Sequence, residues 1–193
     1  MNSVSIGSIR VAPSRWIVYA MEAGSEKLVA CTSSEHSEEE AKRSLMGALH
    51  RLKRLSEVDE TLKSLAAPQI GTRLTALFKG KGDSFSLDEI SVKNWSSARL
   101  TVSKRLLQVP RGRVVSYGGL AQRCNSSPRG VGSVMRSNPV PWAVPCHRVI
   151  HSDGRLGKLG GTVSGTKEKA RILRAEGVLF NSDGTVNLKS FVK

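Results

Sequence analysis

The 193-residue sequence has only three cysteines, Cys31, Cys124 and Cys146, widely spaced and odd in number. No Cys-x-x-Cys pair occurs, which excludes both a disulfide framework and a zinc knuckle. A reduced, intracellular protein fits this usage. No apolar run is long enough to span a membrane, and residues 1–18 lack the apolar core of a signal peptide. A cytoplasmic location is therefore expected, or a nuclear one if the source is eukaryotic. The glycines at 154, 157, 160 and 161 are not followed by Lys-Ser or Lys-Thr, so they are not a P-loop. His36 and His50 have no metal-type partners at helical spacing, and no metal site is expected. One segment also has very few acids: residues 97–177 hold 3 Asp+Glu against 15 Lys+Arg.

That scarcity carries information. Net charge is +14 overall, yet residues 1–96 contribute only +1 (13 basic, 12 acidic) and residues 178–193 another +1. Almost all the excess, +12, lies in residues 97–177. Such asymmetry points to a nucleic-acid surface on that segment, with a basic solubilising face as the plainer alternative. Hydrophobic residues make up 39% of the chain, enough for a sizeable core.

In the N-terminal half, Arg15–Met21 and Lys27–Thr32 are short runs of β-formers around Gly24-Ser25, which predicts a hairpin. Ser37-Glu38-Glu39-Glu40 has the form of a capping box. Ala41, Leu45, Ala48, Leu49, Leu52 and Leu55 follow at helical spacing, so the helix is expected over 37–55. Pro68 and Gly71 read as breaks, 72–78 as a short helix, and 85–92 as an edge strand. Cys31 reads as a small core or strand residue. Nothing in this half forms a chemical constellation.

The C-terminal half is more explicit. A helix is expected over 99–109, stopped by Pro110-Arg111-Gly112. Val114-Val115 is a short apolar step. Ser116 can cap a helix over 117–124, and Ser127 with Pro128 can start another running to about 137. Val131, Val134 and Met135 would form its buried stripe. Two short helices joined by a tight polar turn make a helix-turn-helix. The second has an outer face of Arg129, Gly130, Gly132, Ser133 and Arg136. Two glycines inside a helix cost about 1 kcal/mol each relative to alanine, so they need a reason. Close approach to a nucleic acid is one, and close packing against a neighbouring helix is the other. A last helix over 165–175 should end at Glu176-Gly177, with glycine in the C-cap region. Asp183-Gly184 marks a small hairpin or turn.

The chemistry-bearing stretch is Pro141-Trp142-Ala143-Val144-Pro145-Cys146-His147-Arg148-Val149-Ile150. Thiolate is the reactive form of cysteine, and nearby cations favour it. A cysteine flanked by histidine and arginine in an apolar wall is a candidate nucleophile. Taken alone, the stretch equally describes an inert buried cysteine beside a surface histidine.

Taken together, these residues resemble the O6-alkylguanine-DNA alkyltransferases, also called methylated-DNA–protein-cysteine methyltransferases. Pro145-Cys146-His147-Arg148-Val149, preceded by Asn138-Pro139-Val140-Pro141, carries the resemblance. It extends through Val114–Tyr117, Arg129–Arg136, Gly160-Gly161 and Lys169–Gly177, covering roughly residues 97–177. The resemblance implies an α+β protein of two domains. One is an N-terminal α/β ribonuclease-H-like domain at 1–93. A linker at 94–98 leads to a C-terminal winged helix-turn-helix domain at 99–193, which carries the active site.

The same resemblance implies roles. Cys146 is the alkyl acceptor, His147 the base acting through a water, and Glu176 its orienter. Asn138 braces the cysteine turn and Tyr117 pairs with the target nucleotide. Arg129 enters the duplex in place of the flipped base. Gly130, Gly132, Ser133, Ser116 and Arg136 contact DNA in the minor groove, Arg136 as a phosphate contact. Tyr117, Met135, Val149, Leu159 and Gly160 line the pocket, although Leu159-Gly160 stands where many relatives carry a tyrosine or tryptophan and a serine. The partner would be duplex DNA carrying O6-alkylguanine, bound by a monomer, with no cofactor and no membrane. His147 and Glu176 would favour the thiolate at neutral pH. A winged-helix lesion sensor without chemistry would share the basic helices but not need Cys146, His147 and Glu176. A cysteine hydrolase would share Cys146 and His147 but not the basic helix.

Overall fold

A computed structural model describes residues 4–52, 67–158 and 163–192. It is a mixed α/β fold that divides into two compact units. The first comprises Met1–Ala76, Phe85–Trp95 and Pro139–Ala143, and the second Leu77–Ser84, Ser96–Asn138 and Val144–Lys193.

The first unit is a three-stranded antiparallel meander, β1 (Val4–Ala12), β2 (Arg15–Glu22) and β3 (Leu28–Ser34), with helix α1 (Glu38–Arg51) packed on β2 and β3. The expected hairpin is β2–β3. Strand β1 was not anticipated: Gly7-Ser8 interrupts the alternation, so Ile6 and Ile9 point to opposite faces. β2 is the central strand and is buried from Ile17 to Glu22. Val18 and Ala20 join Ala41, Leu45, Ala48 and Leu49 of α1 in one core. On the other face Tyr19 fills the space left by two glycines, and a Cβ on Gly7 would stand 2.4 Å from its ring. Cys31 is a buried β3 residue whose amide donates to Pro139 O at 2.8 Å.

Ser37 caps α1 by accepting from Glu40 N at 3.1 Å. The carboxylate of Glu40, however, turns to the Ser34 hydroxyl instead of closing the expected reciprocal box. Residues 53–55, the expected end of that helix, lie outside the described residues. Helix α2 spans Pro68–Phe78, so Pro68 starts the helix instead of breaking it. Gly71 sits within it because a Cβ there would come within 3.0 Å of the Tyr19 ring. Residues 85–92 are not an edge strand. Ser86 and Glu89 form a capping box around a single 3₁₀ turn, Leu87–Glu89, and only Ile90 bridges to Leu28.

In the second unit, α3 (Ser97–Leu107) packs on α4 (Tyr117–Arg123) and α5 (Pro128–Arg136). β4 (Val115–Ser116) pairs in parallel with β5 (Val149–Ile150), and α6 (Val163–Ala175) follows. The caps are those expected: Ser116 accepts from Gly119 N, and Ser127 accepts from Gly130 N with Pro128 behind it. Val114, Ile150, Leu156, Leu173, Val178 and Val186 form the core. The tail closes as a hairpin, with Phe180 bridged to Val186 and Gly184 at φ 82°.

Residues 77–84 are tied to α6. Arg171 donates to Phe78 O at 2.6 Å with its guanidinium 4.6 Å from the Phe78 ring, and Arg111 bonds Gly80 O at 2.7 Å and Ala175 O at 3.1 Å. Gly80 has φ 72°, and a Cβ there would meet Ala175 Cβ at 2.6 Å and Ile172 O at 2.9 Å. Both the left-handed backbone and the contact with main chain oppose any side chain. Gly80→Ala is expected to cost about 3 kcal/mol, read as a lower urea midpoint, from strain and overpacking together. An unchanged midpoint would show that this strap does not matter to the unit's stability.

Candidate active site

The reactive centre is built by local backbone rules. Pro145 has φ −78° and ψ 63°, and the Cys146 amide donates to Val144 O at 2.8 Å. This is an inverse γ-turn, with proline holding its φ. A 3₁₀ turn follows immediately over Cys146–Arg148, spreading three successive side chains in different directions. Asn138 ends α5 by donating its amide to Met135 O at 3.3 Å, and its side chain donates to Val144 O at 3.0 Å. The same side chain hydrogen-bonds the Cys146 thiol. Asn138 thus ties the end of α5 to the cysteine turn.

Glu176 is placed by the end of α6. Gly177, at φ 91°, donates its amide to Arg174 O, and Val178 donates to Leu173 O. That is a Schellman motif with Glu176 at the C-cap position. The carboxylate is buried and takes three bonds. His147 Nε2 lies 2.9 Å from Oε1, and Arg148 donates from Nη2 to Oε1 at 2.8 Å and from Nε to Oε2 at 3.0 Å. Arg148 also donates to Val109 O at 2.9 Å.

The electrostatics follow from this packing. Burial alone would raise the Glu176 pKa, but the bonds from His147 and Arg148, and their charges, lower it to about 2. Burial lowers the pKa of His147 against the pull of Glu176, so the imidazole is neutral at pH 7. With Nε2–H donated to the carboxylate, Nδ1 is left as an acceptor, and it is buried without a hydrogen-bond partner among the described residues. Burial raises the pKa of the Cys146 thiol, opposed by the Asn138 bond and the Lys169 charge. Burial thus favours the protonated sulfur, and the Asn138 bond and the Lys169 charge favour the thiolate.

Cys146 opens onto a pocket of about 690 Å³. Tyr117 lines it from α4, and Pro128, Arg129, Gly132, Met135 and Arg136 from α5. His151, Gly157 and Lys158 complete the rim, and Lys169 comes from α6. Among the described residues the lining holds Arg129, Arg136, Lys158 and Lys169 and no carboxylate. Burial raises the pKa of Tyr117, as does the charge of Cys146, so its phenol remains a donor. Among the described residues no cluster of ligating side chains could hold a metal ion, and no helix is long and apolar enough to cross a membrane.

Residues 97–178 match the family profile of the 6-O-methylguanine DNA methyltransferase DNA-binding domain. A DNA base-flipping protein of Thermus thermophilus is 40% identical over 113 residues, which cover 58% of this chain and 75% of that protein. The chain belongs to the O6-methylguanine-DNA methyltransferase family. A methylated-DNA–protein-cysteine methyltransferase of Thermococcus kodakarensis is 50% identical over 70 residues, spanning 36% of this chain and 38% of that relative. The O6-methylguanine-DNA methyltransferase structure from Pyrococcus kodakaraensis superimposes with a TM-score of 0.70 at 28% identity, covering 91% of this chain and 99% of that one.

For this methyltransferase-family chain, the structure gathers most of the expected residues and relocates some. Cys146, Tyr117, Arg129, Gly132, Met135 and Arg136 meet at the pocket, while His147, Glu176 and Asn138 stand behind the sulfur. Met135 lines the pocket and is only half-buried, as is Val134, so Val131 alone of the expected stripe is fully buried. Arg136 shares the pocket face with Arg129, two helical turns away, and Ser133 is exposed. Gly130 has a local cause: a Cβ there would approach Ser126 Oγ to 2.8 Å. Gly132 has open space instead. Ser116 serves as the α4 cap, and the Val149 side chain is in the core, away from the lining. Leu159 and Gly160 lie outside the described residues.

Three lining or supporting residues escaped the sequence reading. Arg148 reads in the sequence as a cation beside the cysteine and as part of the signature, whereas it is the buried bidentate partner of Glu176. His151 packs its ring 5.4 Å from that of Tyr117, and Gly157, at φ 67°, leaves room for it. Lys169 stands seven residues before Glu176, the spacing of one helix face, and that spacing was the available signal.

Glu176→Gln would leave the Arg148 guanidinium buried without its counter-charge, at a cost of about 3–5 kcal/mol. The Glu176 pKa is depressed from 4.5 to about 2, so its stabilisation is present above pH 4.5 and fades as pH falls toward 2. Urea midpoints of wild type and Glu176→Gln should therefore differ at neutral pH and converge at acid pH. A difference that persists at acid pH would contradict this electrostatic origin.

Proposed function

We propose that the protein repairs DNA by flipping an O6-alkylguanine, chiefly O6-methylguanine, out of the duplex and transferring the alkyl group irreversibly to Cys146. The observation that carries this reading is the Cys146 thiol facing a pocket that runs along α5, with His147 and Glu176 hydrogen-bonded behind it. The target oxygen is hidden in the base stack, so the base must be extruded before chemistry. Displacement at an alkyl carbon needs a strong, soft nucleophile, and a thiolate supplies it. His147 Nδ1 accepts the thiol proton through a bridging water. The S–C bond then forms, the C–O bond breaks with its electron pair passing to the guanine, and the guanine takes up a proton. The thioether product has no easy leaving path, so one chain repairs one lesion.

The remaining residues have roles in this reading. Tyr117 offers its phenol to the extruded nucleotide, and Asn138 holds the cysteine turn. Gly132 and Ser133 let α5 sit in the minor groove, and Arg129 fills the space of the flipped base. Residues 1–93 are read as a ribonuclease-H-like domain and the region from 99 as a winged helix-turn-helix, joined at 94–98. The α4–α5 pair, with the Phe180–Val186 hairpin as a wing, supports the second assignment. The protein is read as a monomer of the cell interior. The presence of Cys146 disfavours a lesion sensor without chemistry.

Extrusion of a base costs a few kcal/mol of stacking, and a guanidinium in the vacated space offsets part of this. Single-turnover methyl transfer should thus slow far more for Arg129→Ala on methylated duplex than on the free modified base. Equal losses on both substrates would remove the finger role. No transfer by the unaltered protein would overturn the function itself.

A further inference from the structure

Lys169 is 1% exposed, yet it lines the pocket that holds Cys146. Its ammonium donates to Val149 O at 2.6 Å. Among the described residues no carboxylate forms an ion pair with it; Glu176 on the same helix faces His147 and Arg148, and Glu168 pairs with Arg171. A buried lysine ordinarily needs a counter-charge, because desolvating an ammonium is costly. One neutral carbonyl does not supply it.

The groups around the sulfur narrow the choice. Tyr117, Arg129, Arg136, His151 and Lys158 share the pocket with Cys146 and Lys169. Neutral His147, Arg148 and the Glu176 carboxylate lie behind, their charges already matched to one another. Burial brings the pKa of Lys169 down to about 8, and among the described residues the opposing charge is that of Cys146. The inner face of α6 therefore serves the reaction twice: Lys169 toward the sulfur and, two turns on, Glu176 toward the base.

We propose that Lys169 is a positioning residue for the transfer reaction, a fixed cation that is the counter-charge of the Cys146 thiolate formed when His147 takes the thiol proton. This rests on Cys146 being the alkyl acceptor. The attack that joins sulfur to the alkyl carbon and breaks the C–O bond cancels the sulfur's charge. Lys169 thus favours the charged nucleophile over both the resting thiol and the thioether.

The test reads the thiol without DNA. Iodoacetamide labelling of Cys146, followed as the mass of its peptide from about pH 6 to about pH 10, gives the midpoint at which the thiolate appears. Lys169→Met and Lys169→Gln should move that midpoint upward by about one unit and slow labelling at neutral pH about tenfold. Lys169→Arg should keep the midpoint near that of the unaltered protein. A midpoint that is unchanged or lower in both Met and Gln variants overturns the proposal. A merely structural lysine gives that second result, because a loosened site exposes the thiol and speeds labelling. Absence of methyl transfer from DNA by the unaltered protein, with the variants shifting the midpoint as stated, would instead count against the alkyltransferase reading.

Discussion

The second unit depends on one buried carboxylate. Glu176 takes the imidazole of His147 and both arms of the Arg148 guanidinium, and so fixes two of the three residues in the cysteine turn. Arg148 carries the constraint on to Val109 beyond α3, and to Ser84, 3.4 Å from its Nη1. The Schellman end of α6 places the carboxylate, and Gly177 makes that end possible. Removing the charge would leave a guanidinium buried with carbonyl and hydroxyl partners only. A carboxylate that sets the histidine's tautomer also holds the turn that carries the nucleophile.

The placement of the thiol carries a compromise. An apolar wall of Val144, Val149 and Ile150, all fully buried, shields the sulfur and suits a reaction that must exclude water. The same burial holds the proton on the sulfur. In the proposed reaction charge is created when the base arrives, and the groups around Cys146 suit that moment: an amide from Asn138 and, among the described residues, an unpartnered imidazole nitrogen and a cationic lining without a carboxylate. The excess of +12 in residues 97–177 is thus more than a long-range attraction for phosphates; part of it faces the chemistry.

Local signals in the sequence translated into structure where one residue decides the backbone. Ser37, Ser116, Ser127 with Pro128, and Gly177 marked helix ends correctly because capping is a short-range hydrogen-bond requirement. The cysteine stretch was legible as a motif, and Glu176 as a helix end whose role came only from the family resemblance. Misreadings arose where tertiary packing overrides local preference. Gly71 reads as a break until Tyr19 is seen to need the space, and Gly7-Ser8 hides β1 for the same reason. Residues 85–92 alternate like a strand, but the Ser86–Glu89 box bends them into a turn. Arg148 and Lys169 look like surface cations in a basic chain, and their burial appears only when α6 is folded against the cysteine turn.

In the proposed reaction Cys146 alone, among the nucleophilic side chains, receives the alkyl group, and does so once. Peptide mapping by mass after prolonged incubation with excess duplex carrying O6-methylguanine tests it most directly. The expected result is one methyl group per chain, on the Cys146 peptide, with Cys31 and Cys124 unmodified and one guanine restored for each protein consumed. Methyl on another residue, or guanine released beyond the amount of protein, would contradict it.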